Sequence, residues 1–365
     1  MAYMKSIQID GYRGIKKLKI NELRQINLVV GDNNCGKTSV LEALQLLRTS
    51  GSLANVYKVA RQRDNLSIKG MSSLYDSFIC MFPRSDSDNL EINIGGTCND
   101  KKISFKLSGK KDRILLDANE LQQSPYAINE LPKGEVEAEA FDGTIRLKYD
   151  KHETQKEIRL HQFTSLTGTS SYEKDLFNII YLSPYEHLQG NIVSDIVRNE
   201  GYKRVCIRAL QLFDPDIEDM MIFRSSFGNQ SVEYLRHKKL GDMPVSTYGD
   251  GIKKVLALSS AIAKSTNGIL LIDEIETAIH KKYYDDIFRF IVKACCHFGV
   301  QAFITTHSLE AIDGLLATQD YETNKAKDDI CVCTIRREEN ASLSRVLPGR
   351  EVYENRETFG FEVRL

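Results

Sequence analysis

Hydrophobic and polar positions divide the chain into three kinds of stretch. Short, continuous apolar runs occur at Ile26–Val30, Ile179–Leu182, Gly268–Ile272 and Val300–Ile304, and they read as strands buried on both faces. Apolar residues spaced three and four apart predict helices at Val40–Leu47, at Ile252–Ala263 and across 191–213, where Ile192, Ile196, Ile207 and Leu210 share a stripe. Strict alternation predicts half-buried strands. Lys5–Ile15 and Ile15–Ile20 alternate around a turn and predict a hairpin with Arg13 at its tip. A block of short alternating runs follows at 90–94, 103–107, 113–116, 136–140, 144–149 and 157–160, with Gly95-Gly96, Ser108-Gly109 and Asp142-Gly143 as turn signals between them. Met220–Phe223 and Ser231–Leu235 predict one more hairpin, closed by the basic cluster Arg236-His-Lys-Lys239.

Strands alternating with helices at both ends, and a helix-poor block between, predict an α/β fold with an inserted β-rich lobe and a helical lobe. The 365 residues suffice for a large core. Charged residues make up 27% and the net charge is −1, so no global field draws the chain to nucleic acid or to a membrane surface. A local basic groove stays compatible with that balance. No apolar run approaches the length of a membrane span, and the N-terminus lacks a signal-peptide core. The eight cysteines show no metal-type spacing, which points to free thiols in a reducing cytoplasm.

Candidate chemistry concentrates in Gly31-Asp-Asn-Asn-Cys-Gly-Lys-Thr-Ser39, which fits G-x-x-x-x-G-K-[ST] at every fixed position and lies between a predicted strand and a predicted helix. Glycines there let the backbone turn and aim its N–H groups at phosphate oxygens, beside the positive helix N-terminus. Asn33, Asn34, Cys35, Gly36, Lys37, Thr38 and Ser39 would then line a nucleotide site. Lys37 would reach the β- and γ-phosphates, and the Thr38 hydroxyl would bind Mg²⁺. Cys35 reads as a small filler of the loop. The second half of the site is the apolar strand ending in Asp273-Glu274. Asp273 would hold Mg²⁺, and Glu274 would act as general base on the attacking water. Ser246-Thr-Tyr-Gly-Asp-Gly251 precedes a helix, so Ser246 and Gly249 could belong to an anion-binding end or simply to a helix cap, with Ser246 or Asp250 capping. His307 closes the run from Val300, where a γ-phosphate sensor would be expected. Arg13 reads either as a solvated turn residue or as a cation near phosphate. The cluster at 236–239 reads as a solvated turn or, with few aromatics around it, as a weaker nucleic-acid contact.

Together these pieces resemble the ABC-type ATPases of the SMC, Rad50 and RecF group. The likeness rests on the Asn33-Asn34 phosphate loop, the Gly11-Tyr-Arg-Gly14 hairpin and the Asp273-Glu274 strand. It implies ATP and Mg²⁺ as cofactors, Glu274, Lys37 and His307 as catalytic groups, and residues 246–251 as a signature motif departing from L-S-G-G-Q. It also implies Glu276–His280 as a D-loop, and a head-to-tail homodimer or higher homo-oligomer in which Ser246 and Gly249 act in trans. The Q-loop glutamine is unassigned, with Gln62 a weak candidate. On this reading 1–85 and 171–335 form the ATPase domain, 86–170 the inserted lobe and 336–365 a tail. The ending Glu357–Arg364 resembles short OLD-type ATPases, including AriA-like members of bacterial anti-phage systems. That implies a sensor or scaffold for a separate effector, a nuclease of the Toprim kind. The alternative is a RecF-like repair ATPase that clamps DNA directly. A transporter motor fits the altered signature and inserted lobe poorly.

Overall fold

In the computed structural model, residues 3–63, 73–117, 135–164, 174–188, 192–224, 231–322, 328–338 and 341–364 are described. The chain opens with a hairpin, β1 (Met4–Tyr12) and β2 (Ile15–Ile20). It runs through β3 (Ile26–Val30) into helix α1 (Lys37–Leu46) and two shorter helices, α2 (Leu53–Ala60) and α3 (Leu74–Ile79). Four long strands follow: β4 (Asn89–Cys98), β5 (Lys101–Leu116), β6 (Val136–Tyr149) and β7 (His152–His161). After them come β8 (Ile179–Leu182), α4 (Val193–Ile196), α5 (Glu200–Leu210) and a meander of β9 (Ile217–Arg224), β10 (Ser231–His237) and β11 (Gly241–Pro244). The last third contains α6 (Asp250–Lys264), β12 (Ile269–Ile272), α7 (Tyr284–His297), β13 (Gln301–Thr305) and α8 (Leu309–Leu316). It closes with β14 (Ile330–Arg337), β15 (Ser342–Pro348) and α9 (Gly349–Phe359).

The apolar runs form the central sheet, ordered β15-β14-β3-β13-β12-β8. All neighbours are parallel except the antiparallel edge strand β15. Both faces are covered, which is why these strands lack a polar period. Ile26, Leu28, Val30, Leu270 and Ile272 point to one core, with α6, α7 and α8 packed over them. Val29, Ile269 and Leu271 point to the other, which is shared with α1 to α3 and a second sheet. That second sheet is antiparallel, ordered β2-β1-β4-β5-β6-β7. The predicted lobe beginning at 86 therefore continues the sheet that the N-terminal hairpin starts. Its stretches at 118–134 and 165–170, and residue 191 of the predicted helical run, lie outside the described residues.

The turn signals inside this block need correction. Gly95-Gly96, Gly109 and Gly143 are interior strand positions, so the six short runs merge into four strands. Gly109 and Gly143 face each other across β5 and β6. A Cβ on either would fall within 2.6 Å of the Phe141 ring, which packs on Phe78 and Phe82 in the core. These glycines make room for an aromatic ring rather than for a turn. The reversals occur instead at Asn99-Asp100 and at Asp150, all with left-handed φ. Among the described residues, no helix is long and apolar enough to cross a membrane.

Candidate nucleotide site

The phosphate loop leaves β3 at the carboxyl edge of the parallel sheet, where ligands of such sheets gather. Gly31, Asn34 and Gly36 have φ of 143, 63 and 107°, which turns the chain back into α1. Gly31 admits no side chain, because a Cβ would lie 2.2 Å from the Ile335 carbonyl oxygen. Cys35 is buried under the loop, and burial raises its thiol pKa. That keeps the sulfur protonated and fits the filler reading. Lys37 Nζ lies over the loop, donating to the carbonyls of Gly31 and Asp32 at 2.8 Å each.

Strand β13 separates β3 from β12, and its end stitches the two halves of the site together. Asp273 follows β12, is buried, and accepts three hydroxyls. Thr38 Oγ1 donates at 3.0 Å, Tyr181 at 3.0 Å and Thr305 Oγ1 at 2.5 Å. Burial, and then the Asp273 charge, push the Tyr181 pKa far up, so the phenol remains a donor. The Glu274 amide donates to Thr305 Oγ1 at 2.8 Å, and Glu274 has a left-handed φ of 45°. A non-glycine residue in that region is held there by its surroundings. Among the described residues, its carboxylate accepts a long contact from the Thr277 hydroxyl, 3.5 Å. His307 lies two residues past the end of β13. Its amide nitrogen and its Nδ1 each sit 3.0 Å from Glu276 Oε1.

Arg13 does not join this group. Its Nε lies 2.7 Å from Glu42 Oε2, with the N–H off the line of contact, and its side chain is nearly buried. Glu42 is fully buried on α1 and needs compensating cations. Arg13 and Arg63 supply them, and Arg63 also donates to the Ser39 hydroxyl at 3.1 Å. Ser246 and Gly249 are exposed, and no hydrogen bond or ion pair ties them to the phosphate loop of the same chain. The capping expectation also fails. Gly249 caps α6, with no side-chain cap. In the basic cluster Arg236 pairs with Asp242 at 2.9 Å and Lys239 with Asp216 at 2.5 Å.

Sequence reasoning missed three contributors and marked a fourth only weakly. Tyr181 and Thr305 are the polar interruptions of otherwise aliphatic strands, a signal that was available. Lys254 is fully buried on α6, donates to the Pro184 carbonyl at 3.3 Å, and lies in the field of Glu276, Asp273 and Glu274. A lysine in register with Leu258 and Ala261 on an apolar stripe gave that away. Gln62 is the fourth. Its amide is buried beside Tyr181, within reach of that phenol. The Thr38–Asp273 pair, with the Gln62 amide next to Tyr181, fits the donor set a Mg²⁺–phosphate group requires.

The profile of the family described as "AAA domain, putative AbiEii toxin, Type IV TA system" matches residues 26–313, well over half of the chain. An ATP/GTP phosphatase of Helicobacter pylori is 25% identical over 356 residues, covering 87% of this chain and 90% of that protein. The DNA replication and repair protein RecF of Rickettsia conorii is 23% identical over 354 residues, covering 85% and 96%. Among solved structures, an SMC head from Pyrococcus furiosus bound to the C-terminal domain of ScpA aligns over 99% of this chain and 100% of that one, with 12% identity and a TM-score of 0.49. At that score it adds nothing to the topology described above.

Proposed function

This chain belongs to that AAA-domain family, and on that premise we propose how it works as an ATPase. Carrying most weight is the hydrogen bond from Thr38 to Asp273, which unites residues 235 positions apart in one phosphate-facing cluster. Loop N–H groups, the α1 N-terminus and Lys37 bind the β- and γ-phosphates. Thr38 and Asp273 hold Mg²⁺, which screens the phosphate charge when bound. Tyr181 and Thr305 fix the Asp273 carboxylate. Glu274 takes the proton of the attacking water, and His307 stands on the γ-phosphate side. Gln62 supplies an amide that orients water.

Ser246 and Gly249 sit exposed at the start of α6, so they serve a second copy. Two chains close head to tail over ATP, and hydrolysis reopens them. The energy logic is a population shift, because nucleotide contributes contacts across the interface only in the closed pair. The closed pair would act as a sensor or scaffold for a separate effector, a Toprim-type nuclease, in bacterial anti-phage defence. The free thiols of all eight cysteines suit a reducing cytoplasm. Among the described residues, the acid–histidine group Asp214, Asp216 and His237 offers no metal centre of its own. Lys239 occupies Asp216, and His237 Nδ1 accepts the amides of Lys239 and Leu240 at 3.1 Å.

The RecF relatives favour a second reading, a repair ATPase that clamps duplex DNA. Salt-sensitive, ATP-dependent binding of the purified protein to DNA alone would favour it. Hydrolysis itself is tested by two variants. Lys37→Ala should lose ATP binding. Glu274→Gln should keep ATP but lose at least about a hundredfold in turnover. A Glu274→Gln protein hydrolysing at the wild-type rate would remove Glu274 as base.

A further inference from the structure

The stretch 361–364 packs beside the His307 loop. Val363 is fully buried, and its carbonyl accepts the Thr334 hydroxyl at 2.7 Å, itself a buried bond within β14. Arg356 NH1, from α9, donates to the Phe361 carbonyl at 2.6 Å. These two anchors fix where Arg364 begins. Glu362 then fixes where it points, since Arg364 Nε and NH2 each lie 2.8 Å from its two carboxylate oxygens. A guanidinium held in this bidentate way has its plane set, and its remaining donor is aimed. That donor, NH1, reaches the His307 carbonyl oxygen at 2.9 Å. The same guanidinium lies in the field of Asp32, in the phosphate loop, and of Glu310, on α8.

His307 is thus held from two sides. Glu276 takes its amide and its ring, and Arg364 takes its carbonyl. We propose that Arg364 is a positioning residue for ATP hydrolysis, fixing the His307 loop and tying it to α9. The second tie runs through Arg356 NH2, which donates to Asp313 Oδ2 on α8 at 2.6 Å. Helix α8 starts at Leu309, so the loop, α8 and α9 are joined by these contacts.

This inference rests on the reading of His307 as a γ-phosphate-side group, and the test separates the two. Turnover and ATP affinity are measured for His307→Ala, Arg364→Ala, Arg364→Lys and the double variant His307→Ala/Arg364→Ala. Loss of one charge-assisted bond is expected to lower kcat in Arg364→Ala by about tenfold, with ATP affinity within about twofold of wild type. Arg364→Lys, which can still reach the carbonyl, should recover part of that loss. The double variant should be no slower than His307→Ala alone, because without the imidazole there is nothing left to position. An additive loss in the double variant, or an unchanged kcat in Arg364→Ala, would overturn the role of Arg364. If His307→Ala itself turns over normally, the reading of His307 falls first.

Discussion

Asp273 is where single residues decide most. A buried carboxylate that accepts three hydroxyls is oriented before any cation arrives, and preorganisation of that kind spares reorganisation during the reaction. Thr305 serves twice, donating to Asp273 and accepting the Glu274 amide. Thr305→Val keeps the shape and removes both bonds. It is expected to slow hydrolysis by more than tenfold and to cost about 1–3 kcal/mol of stability, read by turnover and by urea unfolding. Wild-type turnover in that variant would mean that Asp273 and Glu274 are set by the backbone alone. Lys37, Thr38 and Asp273, which the fold brings together, could be picked out from the chain because each sits at a strand or helix end. Arg13 looked equally available from its turn position. The competing demand came from Glu42, an acid on the apolar side of α1, and a burial demand of that kind has no local spacing to show it.

Helix α6 joins the exposed Ser246–Gly249 segment to the acids after β12, and its buried lysine gives it a pH signature. Burial lowers the Lys254 pKa from 10.5 to about 8. Between those values the unfolded chain holds a proton that the folded chain has shed, so stability rises with pH through that window. Below about pH 8 the fold bears the whole cost of the buried ammonium. Lys254→Met should therefore be more stable than wild type near pH 7, by about 1–3 kcal/mol. That gain should fade toward pH 10.5, which urea midpoints at several pH values would reveal. A variant less stable than wild type near pH 7 would show that the acids around the ammonium outweigh its burial. The strands and helices around the phosphate loop and α6 followed from apolar period, but the helices Tyr284–His297, Leu309–Leu316 and Gly349–Phe359 and the turns of the second sheet did not. Gly109 and Gly143 carry the same letters as turn glycines, and the Phe141 ring and the facing strand backbone, both within 2.6 Å of an added Cβ, explain their place.

Across the whole molecule, two sheets share one core, with the parallel sheet carrying the chemistry and the antiparallel sheet bracing α1 from outside. Four strands of the parallel sheet were legible because strands covered on both faces leave unbroken apolar runs, but β14, parallel to β3, was not singled out. Continuity of β1 and β2 with β4 to β7 was not, since strand pairing across the inserted α1 to α3 region leaves no trace in local pattern. Nor does any local pattern say what meets the exposed start of α6, which the proposed clamp covers with a second copy of the chain. The most direct test is the solution mass of Glu274→Gln with and without ATP and Mg²⁺, alongside Glu274→Gln carrying Ser246→Arg. ATP should double the mass of the first protein and leave the second a single chain. A Glu274→Gln protein that binds ATP yet stays a single chain would contradict the shared site and, with it, the clamp.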